Sequence, residues 1–192
     1  MLILRRSSNE SAVIAGGSIS VMTQRRSGLC RPAGGRKMGE YIKEIRALVG
    51  HRPIIYSAGS IIVENEKGQI LLGKRTDNHL WGYSGGGIEI GETIEECARR
   101  ELREEMGLEA DELELFRIHS GEEAHMVYPN TDEVYYVEIV YLCRRYHGEL
   151  RRQEEELEEL RFFDPSEITL DMISPAIRKV IKDYIEKRGA EA

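Results

Sequence analysis

Apolar residues along this chain fall into two periods, and the switches between them predict its elements. From Glu40 to Val49, the residues Tyr41, Ile42, Ile45, Leu48 and Val49 recur at helical spacing, and Gly50 and Pro53 close the segment. Ile54 to Glu64 is a β-rich run, and Asn65-Glu66-Lys67-Gly68 turns it into Gln69 to Arg75, which predicts a hairpin. Thr93 followed by Glu96 reads as a capping box, Ile94, Ala98, Leu102 and Met106 form one apolar stripe, and Gly107 suits the end of that helix. Glu112 to Ser120 and Glu133 to Tyr146 read as strands. In the second, both faces are apolar, which predicts a central strand with Glu138 as its odd member. A strand at Leu160 to Phe163 is broken by Asp164-Pro165. Ser174-Pro175 then opens a C-terminal helix whose inner face holds Ile177, Val180, Ile181, Tyr184 and Ile185. Strands and helices alternating around one sheet imply the α/β class.

The helix after Thr93 carries the unusual chemistry. Glu101, Glu104 and Glu105 share one sector, and Glu101 and Glu105 fall on the side of Ile94 and Ala98. Arg99, Arg103 and Glu95 take the outer side. A charge run on a helix is ordinarily a solvated face, but acids turned inward must be paired, protonated or bound to a cation. With only Arg100 close by, these three point to a metal site. The glycines just before, Gly85 to Gly87, read as a turn suited to positive φ and to close approach of the main chain to a ligand.

Gly86, five residues, Glu92, seven residues, then Arg100-Glu101-Leu102-Arg103-Glu104-Glu105-Met106-Gly107-Leu108 matches every fixed position of the Nudix box. Over Gly86 to Leu108 the chain closely resembles the Nudix hydrolase family, and by order of elements it does so more loosely from Arg52 to Phe163. The resemblance implies a Nudix-type α/β/α sandwich with a mixed β-sheet. It implies Glu104 and Glu105 as main metal ligands helped by the carbonyl of Gly85, and Glu101 as a ligand or as the base that activates water. Arg100 would orient a carboxylate, and Glu92 would support the loop or a second metal. A late glutamate often joins the metals in this family; Glu156 is the best-placed residue for that, with Glu155 next. Family members often carry proline where Ser84 stands here, a departure that leaves the box intact.

Charge narrows the partners. Net charge is −7, but residues 1–37 hold seven basic groups against one acid, so residues 38–192 carry 20 basic and 33 acidic groups, or −13. So acidic a body does not attract polyanions by its general field, which makes nucleic acid an unexpected partner and a small nucleotide the expected one. A phosphate-bearing substrate would be received by local basic groups such as Arg75 and by a bound cation. The loop from Gly121 to Asp132 offers exposed-looking His125, Tyr128 and Pro129, with Tyr128 a candidate to stack on a base and ordinary packing the rival reading. Trp81, the only tryptophan, reads as core. Residues 1–37, rich in Ser, Gly and Arg, have no sustained period. They resemble a transit peptide in composition, but the preferred expectation is a disordered extension or an over-called upstream start, with residues 38–192 as a single domain. No apolar run reaches membrane-spanning length. Cys30, Cys97 and Cys143 lack metal-type spacing, and their odd number favours a reduced, cytoplasmic compartment.

An all-oxygen ligand set suits Mg²⁺ first and Mn²⁺ second. The expected reaction is hydrolysis of a pyrophosphate bond in a nucleoside diphosphate linked to another moiety (a nucleotide sugar, a CDP-alcohol or similar) or in a nucleoside triphosphate. Among enzyme activities, 5′ processing of RNA is disfavoured by the acidic body. The alternative outside catalysis is a nucleotide-sensing domain of the same fold, and a homodimer stays open.

Overall fold

The computed structural model of the chain describes residues 4–5, 11–15, 18–22, 38–128 and 130–191. It divides into two units, Met1–Gly34 and Gly35–Ala192. In the first, β1 (Leu4–Arg5), β2 (Ser11–Ala15) and β3 (Ser18–Met22) pair antiparallel in that order. These strands take up part of the segment read as an extension; the rest of that expectation, with Cys30, lies outside the described residues.

The second unit begins with α1 (Met38–Val49). There follow β4 (Ile54–Val63), β5 (Ile70–Arg75), β6 (Trp81–Gly82), β7 (Ser84–Gly87) and α2 (Ile94–Met106). Then come β8 (Leu108–Ala110), β9 (Glu114–His119), a 3₁₀ turn over Gly121–Ala124, β10 (His125–Val127), β11 (Glu133–Cys143) and β12 (Tyr146–Gly148). β13 (Leu157–Phe163) and α3 (Arg178–Glu191) complete the unit. The main sheet has the order β10-β11-β4-β7, with β9 also on the outer edge of β11. β4 and β11 run parallel and the other pairs antiparallel, so the sheet is mixed.

Alternation along β4 separates the two core layers. Ile61 and Val63 pack with Ala98, Leu102 and Met106 of α2, whereas Ile62 packs with Val180, Ile181 and Tyr184 of α3. Successive side chains of a strand point to opposite faces, so one continuous apolar run fills both layers. This is the α/β/α arrangement expected. β11 has partners on both sides and is a central strand, as both of its faces being apolar requires.

Two local expectations are corrected. β4 and β5 do not form a hairpin ladder. The turn forms, with Asn65 N–H donating to Gln69 O at 2.9 Å, but beyond the single bridge Glu64–Ile70 the strands part. Both edges of β4 are already filled by β11 and β7, so β5 pairs instead with β13 and β6 in a separate sheet. Gly85 to Gly87 likewise form strand β7 rather than a positive-φ turn; the positive φ near them is at Gly91, +89°. Trp81 does pack, edge-on to Phe163 with centroids 4.7 Å apart. Among the described residues no helix is long and apolar enough to cross a membrane.

Candidate active site

α2 places the acids because its ends are fixed. Thr93 N–H donates to Glu96 Oε2 at 2.8 Å and Glu96 N–H donates to Thr93 Oγ1 at 3.2 Å, the reciprocal pair that starts a helix. Gly107, at φ +76°, ends it through a bond to Arg103 O. Between these caps Ala98, Leu102 and Met106 are buried, so the rotation of the helix is set. Glu105 is then only 5% exposed, Glu101 is largely buried, and Glu104 stands half in solvent.

β7 meets this face directly. Gly85 N–H donates to Glu105 Oε2 at 3.1 Å. A Cβ at Gly86 would lie 2.3 Å from the Glu101 carboxylate, so that carboxylate occupies the space where a side chain would be. Gly85 in turn covers Ser60 of β4, whose hydroxyl donates to Glu138 Oε1 at 2.7 Å. Glu138 is thus a buried neighbour of the glycine strand at one remove, also bonded by Tyr83 OH.

Arg100 organises the loop and three acids. Its Nε and Nη2 donate to the two oxygens of Glu92 at 2.8 and 3.0 Å, and its Nη1 to Glu101 Oε1 at 2.6 Å and Glu104 Oε2 at 3.3 Å. Nη2 also donates to Gly87 O at 3.1 Å, and Glu92 Oε2 accepts from Glu89 N–H. Burial works against ionisation of Glu92, but the Arg100 hydrogen bonds outweigh it and hold the carboxyl below its ordinary value. Glu101 goes the other way: burial first, then the charges of Glu104 and Glu156, raise it despite Arg100. Glu105 is pushed up to about 8 by burial, reinforced by the charges of Glu101 and Glu156. The buried Ser84 hydroxyl has no partner in hydrogen-bond geometry among the described residues, yet it lies close enough to Glu105 to ease its ionisation.

The charge of Glu156, on the turn before β13, bears on both Glu101 and Glu105. Arg75 is bonded to Asp77 through two contacts, at 3.0 and 3.1 Å, and also senses the charges of Glu105 and Glu156. Tyr128 stands apart. Its hydroxyl bonds that of Tyr136, whose ring packs edge-on to Tyr56 at 5.3 Å, and Tyr56 senses the charges of Glu101 and Arg100. His125 is not the exposed loop residue expected. It lies on β10, stacked on Tyr135 at 4.5 Å and bonded to Glu133 at 2.9 Å. Pro129 lies outside the described residues.

The donor set fits a hard cation in its chemistry: carboxylates only, partly buried, raising one another's affinity for positive charge. As the side chains lie, no three His, Cys, Asp or Glu groups among the described residues stand close enough to hold an ion. Arg100 holds Glu101 and Glu104 from one nitrogen, and Glu104 stands half in solvent.

Sequence reasoning missed Ser60, Tyr56 and Tyr136. Alternation on β4 puts Tyr56, Ala58 and Ser60 on one face, a signal for two of them.

Comparison with known proteins gives a consistent picture. Residues 55–184 match the family described as NUDIX domain. The chain is 41% identical over 66 residues to the RNA pyrophosphohydrolase of Marinomonas sp., covering 34% of this chain and 38% of that protein. It is 41% identical over 72 residues to the enzyme of the same name from Acinetobacter baylyi, covering 38% and 41% respectively. The chain thus spans about two fifths of the length of these relatives. Among solved structures, a MutT NUDIX hydrolase from Burkholderia pseudomallei superposes with a TM-score of 0.58 at 22% identity, over 67% of this chain and 97% of that one. The E. coli ORF135 protein gives 0.56 at 26%, over 71% and 92%.

Proposed function

The chain belongs to the Nudix hydrolase family, and from that premise we propose that it is a Mg²⁺-dependent hydrolase of a pyrophosphate bond in a nucleotide. The substrate would be a nucleoside diphosphate linked to another moiety, or a nucleoside triphosphate. The observation that carries this reading is the pair of inward acids on α2, Glu105 bonded by Gly85 N–H and Glu101 lying where a side chain on Gly86 would be, with Arg100 committed to Glu92, Glu101 and Glu104.

In this reading Glu104, Glu105 and Glu156 would hold Mg²⁺ or Mn²⁺, with Glu101 a further ligand or the base that activates water, Glu92 supporting the loop and Gly85 beside them. A divalent cation held there would supply charge stabilisation in the transition state and would lower the pKa of an attacking water. The chain's own groups do the rest. Arg100 holds Glu101 Oε1, which leaves Oε2 to take the proton of the attacking water. The water oxygen bonds to phosphorus, the bridging P–O bond breaks, and two phosphorylated products leave. Arg75, which senses the charges of Glu105 and Glu156, would meet a phosphate, and Tyr128 with Tyr136 would supply an aromatic surface for a base. Positioning and charge stabilisation are the main contributions in such a displacement.

A second reading follows from the relatives named RNA pyrophosphohydrolase, namely cleavage at a triphosphorylated RNA 5′ end. The −13 charge of residues 38–192 opposes it, since an RNA chain would be repelled beyond its terminal phosphates. The test is a panel of nucleotide sugars, CDP-alcohols, nucleoside triphosphates and 5′-triphosphorylated RNA with Mg²⁺, with products resolved by chromatography. Release of a nucleoside monophosphate from a small substrate is the expected result. Turnover of the RNA alone would move the assignment to the second reading, and no turnover with any of them would favour a sensing role.

A further inference from the structure

Glu156 stands on a strap that belongs to neither α2 nor β7. Residues 149–157 cross the C-terminal end of α2. Arg151 N–H donates to Met106 O and Gln153 N–H to Glu105 O, each at 3.0 Å. A side chain on Gly107 would lie 2.5 Å from Glu149 O, so the strap sits directly on the end of the helix. The last carbonyls of a helix have no partner within it, and here the strap supplies donors to two of them. Glu105 and the segment bearing Glu156 are thereby tied through the main chain.

The other side of the strap is held from the turn after β5. Thr76 N–H donates to Glu156 O at 2.9 Å. Thr76 Oγ1 stands 3.0 Å from Glu155 O and 3.2 Å from Glu156 O. Just beyond, the ladder between β13 and β5 is irregular between Leu157 and Glu159, a bulge of the kind that re-aims side chains. Lys74 then closes on Glu158 at 3.1 Å, and His79 binds the same carboxylate. Thr76 is exposed and fills no core position, so its contribution to the fold is small. Its hydrogen bonds all end on the two residues that present Glu156.

We propose that Thr76 is a positioning residue: by holding the Glu155 and Glu156 carbonyls it fixes the segment that carries Glu156 beside the end of α2 that bears Glu105, and so sets the affinity of these acids for a divalent cation. The inference rests on the reading of the cluster as the metal site. Groups that orient metal ligands change metal affinity by about 10–100-fold when removed. Thr76→Val keeps the shape and the main-chain bond and deletes only the hydroxyl, so its effect belongs at the lower end.

The experiment is Mn²⁺ binding to the full chain without substrate, followed by electron paramagnetic resonance, for the wild type, Thr76→Val, Thr76→Ser and Glu105→Gln, with thermal unfolding alongside. Thr76→Val is expected to bind Mn²⁺ about tenfold more weakly with an unchanged unfolding temperature, and Thr76→Ser to restore the affinity. Wild-type affinity in Thr76→Val, while Glu105→Gln has lost binding, would overturn the role of Thr76 and leave the metal reading intact. Equal weakening in Thr76→Val and Thr76→Ser would overturn it as well, since the hydroxyl would then not be the operative group. Undiminished binding in Glu105→Gln, or none in the wild type, would overturn the metal reading and this inference with it.

Discussion

Arg100 grips Glu92 with two prongs, Nε to Oε1 at 2.8 Å and Nη2 to Oε2 at 3.0 Å, and with the remaining nitrogen it holds Glu101. One planar cation therefore couples the loop before α2 to an acid in the middle of that helix. Lysine has the charge but not the fork. Arg100→Lys is expected to lower kcat by about a hundredfold, the scale of losing a positioned charge-assisted contact. The unfolding temperature should fall by only a few degrees. Steady-state kinetics with a melting curve checks both, and unchanged kcat would remove Arg100 from the site.

Gly86→Ala separates folding from function. The added methyl would stand 2.3 Å from the Glu101 carboxylate, which is the far end of a flexible side chain and can swing away. The fold should survive with a loss of about 1 kcal/mol, while Glu101 is displaced from its bond with Arg100. Activity should fall by more than about tenfold. Denaturant melts and kcat measured on the same preparation test this, and wild-type activity would contradict it.

Glu138 imposes a pH dependence on stability. Burial raises its carboxyl above the ordinary 4.5, although the Ser60 and Tyr83 hydroxyls partly oppose the shift. A carboxyl whose folded pKa is raised binds more protons in the folded than in the unfolded chain. Its contribution is therefore complete below about pH 4.5 and is lost as pH rises through the folded value. Glu138→Gln keeps an acceptor for both hydroxyls and removes the titration. The wild type should lose stability relative to this variant as pH rises above 4.5. Thermal melts of both proteins across that range test it, and a constant difference would rule it out.

How far the sequence discloses this molecule depends on whether the information is local. The ends of α2 are legible because Thr93, Glu96 and Gly107 act within one turn. The inward acids are legible because Glu101 and Glu105 share the period of Ala98 and Leu102. The Asn65–Gly68 turn is legible too, yet the hairpin inferred from it does not form, because pairing of β4 with β11 joins residues some 80 positions apart. The strap over α2 left no sequence trace at all. Its contacts are main chain to main chain, and Thr76 meets Glu155 and Glu156 across a similar separation. Composition gives an acidic body, but it says nothing of how Arg100 comes to hold Glu92, Glu101 and Glu104 together.

Glu105 is the deepest carboxylate of α2, 5% exposed, bonded by Gly85 N–H and pressed by the charges of Glu101 and Glu156. Glu105→Gln preserves its shape and removes its charge. The most direct test is kcat for Mg²⁺-dependent pyrophosphate hydrolysis by this variant beside the wild type, on the substrate that the panel identifies. The expected result is a fall of at least about a hundredfold in a protein that still unfolds cooperatively. Near-normal turnover in the variant would contradict the assignment of this cluster as the catalytic metal site.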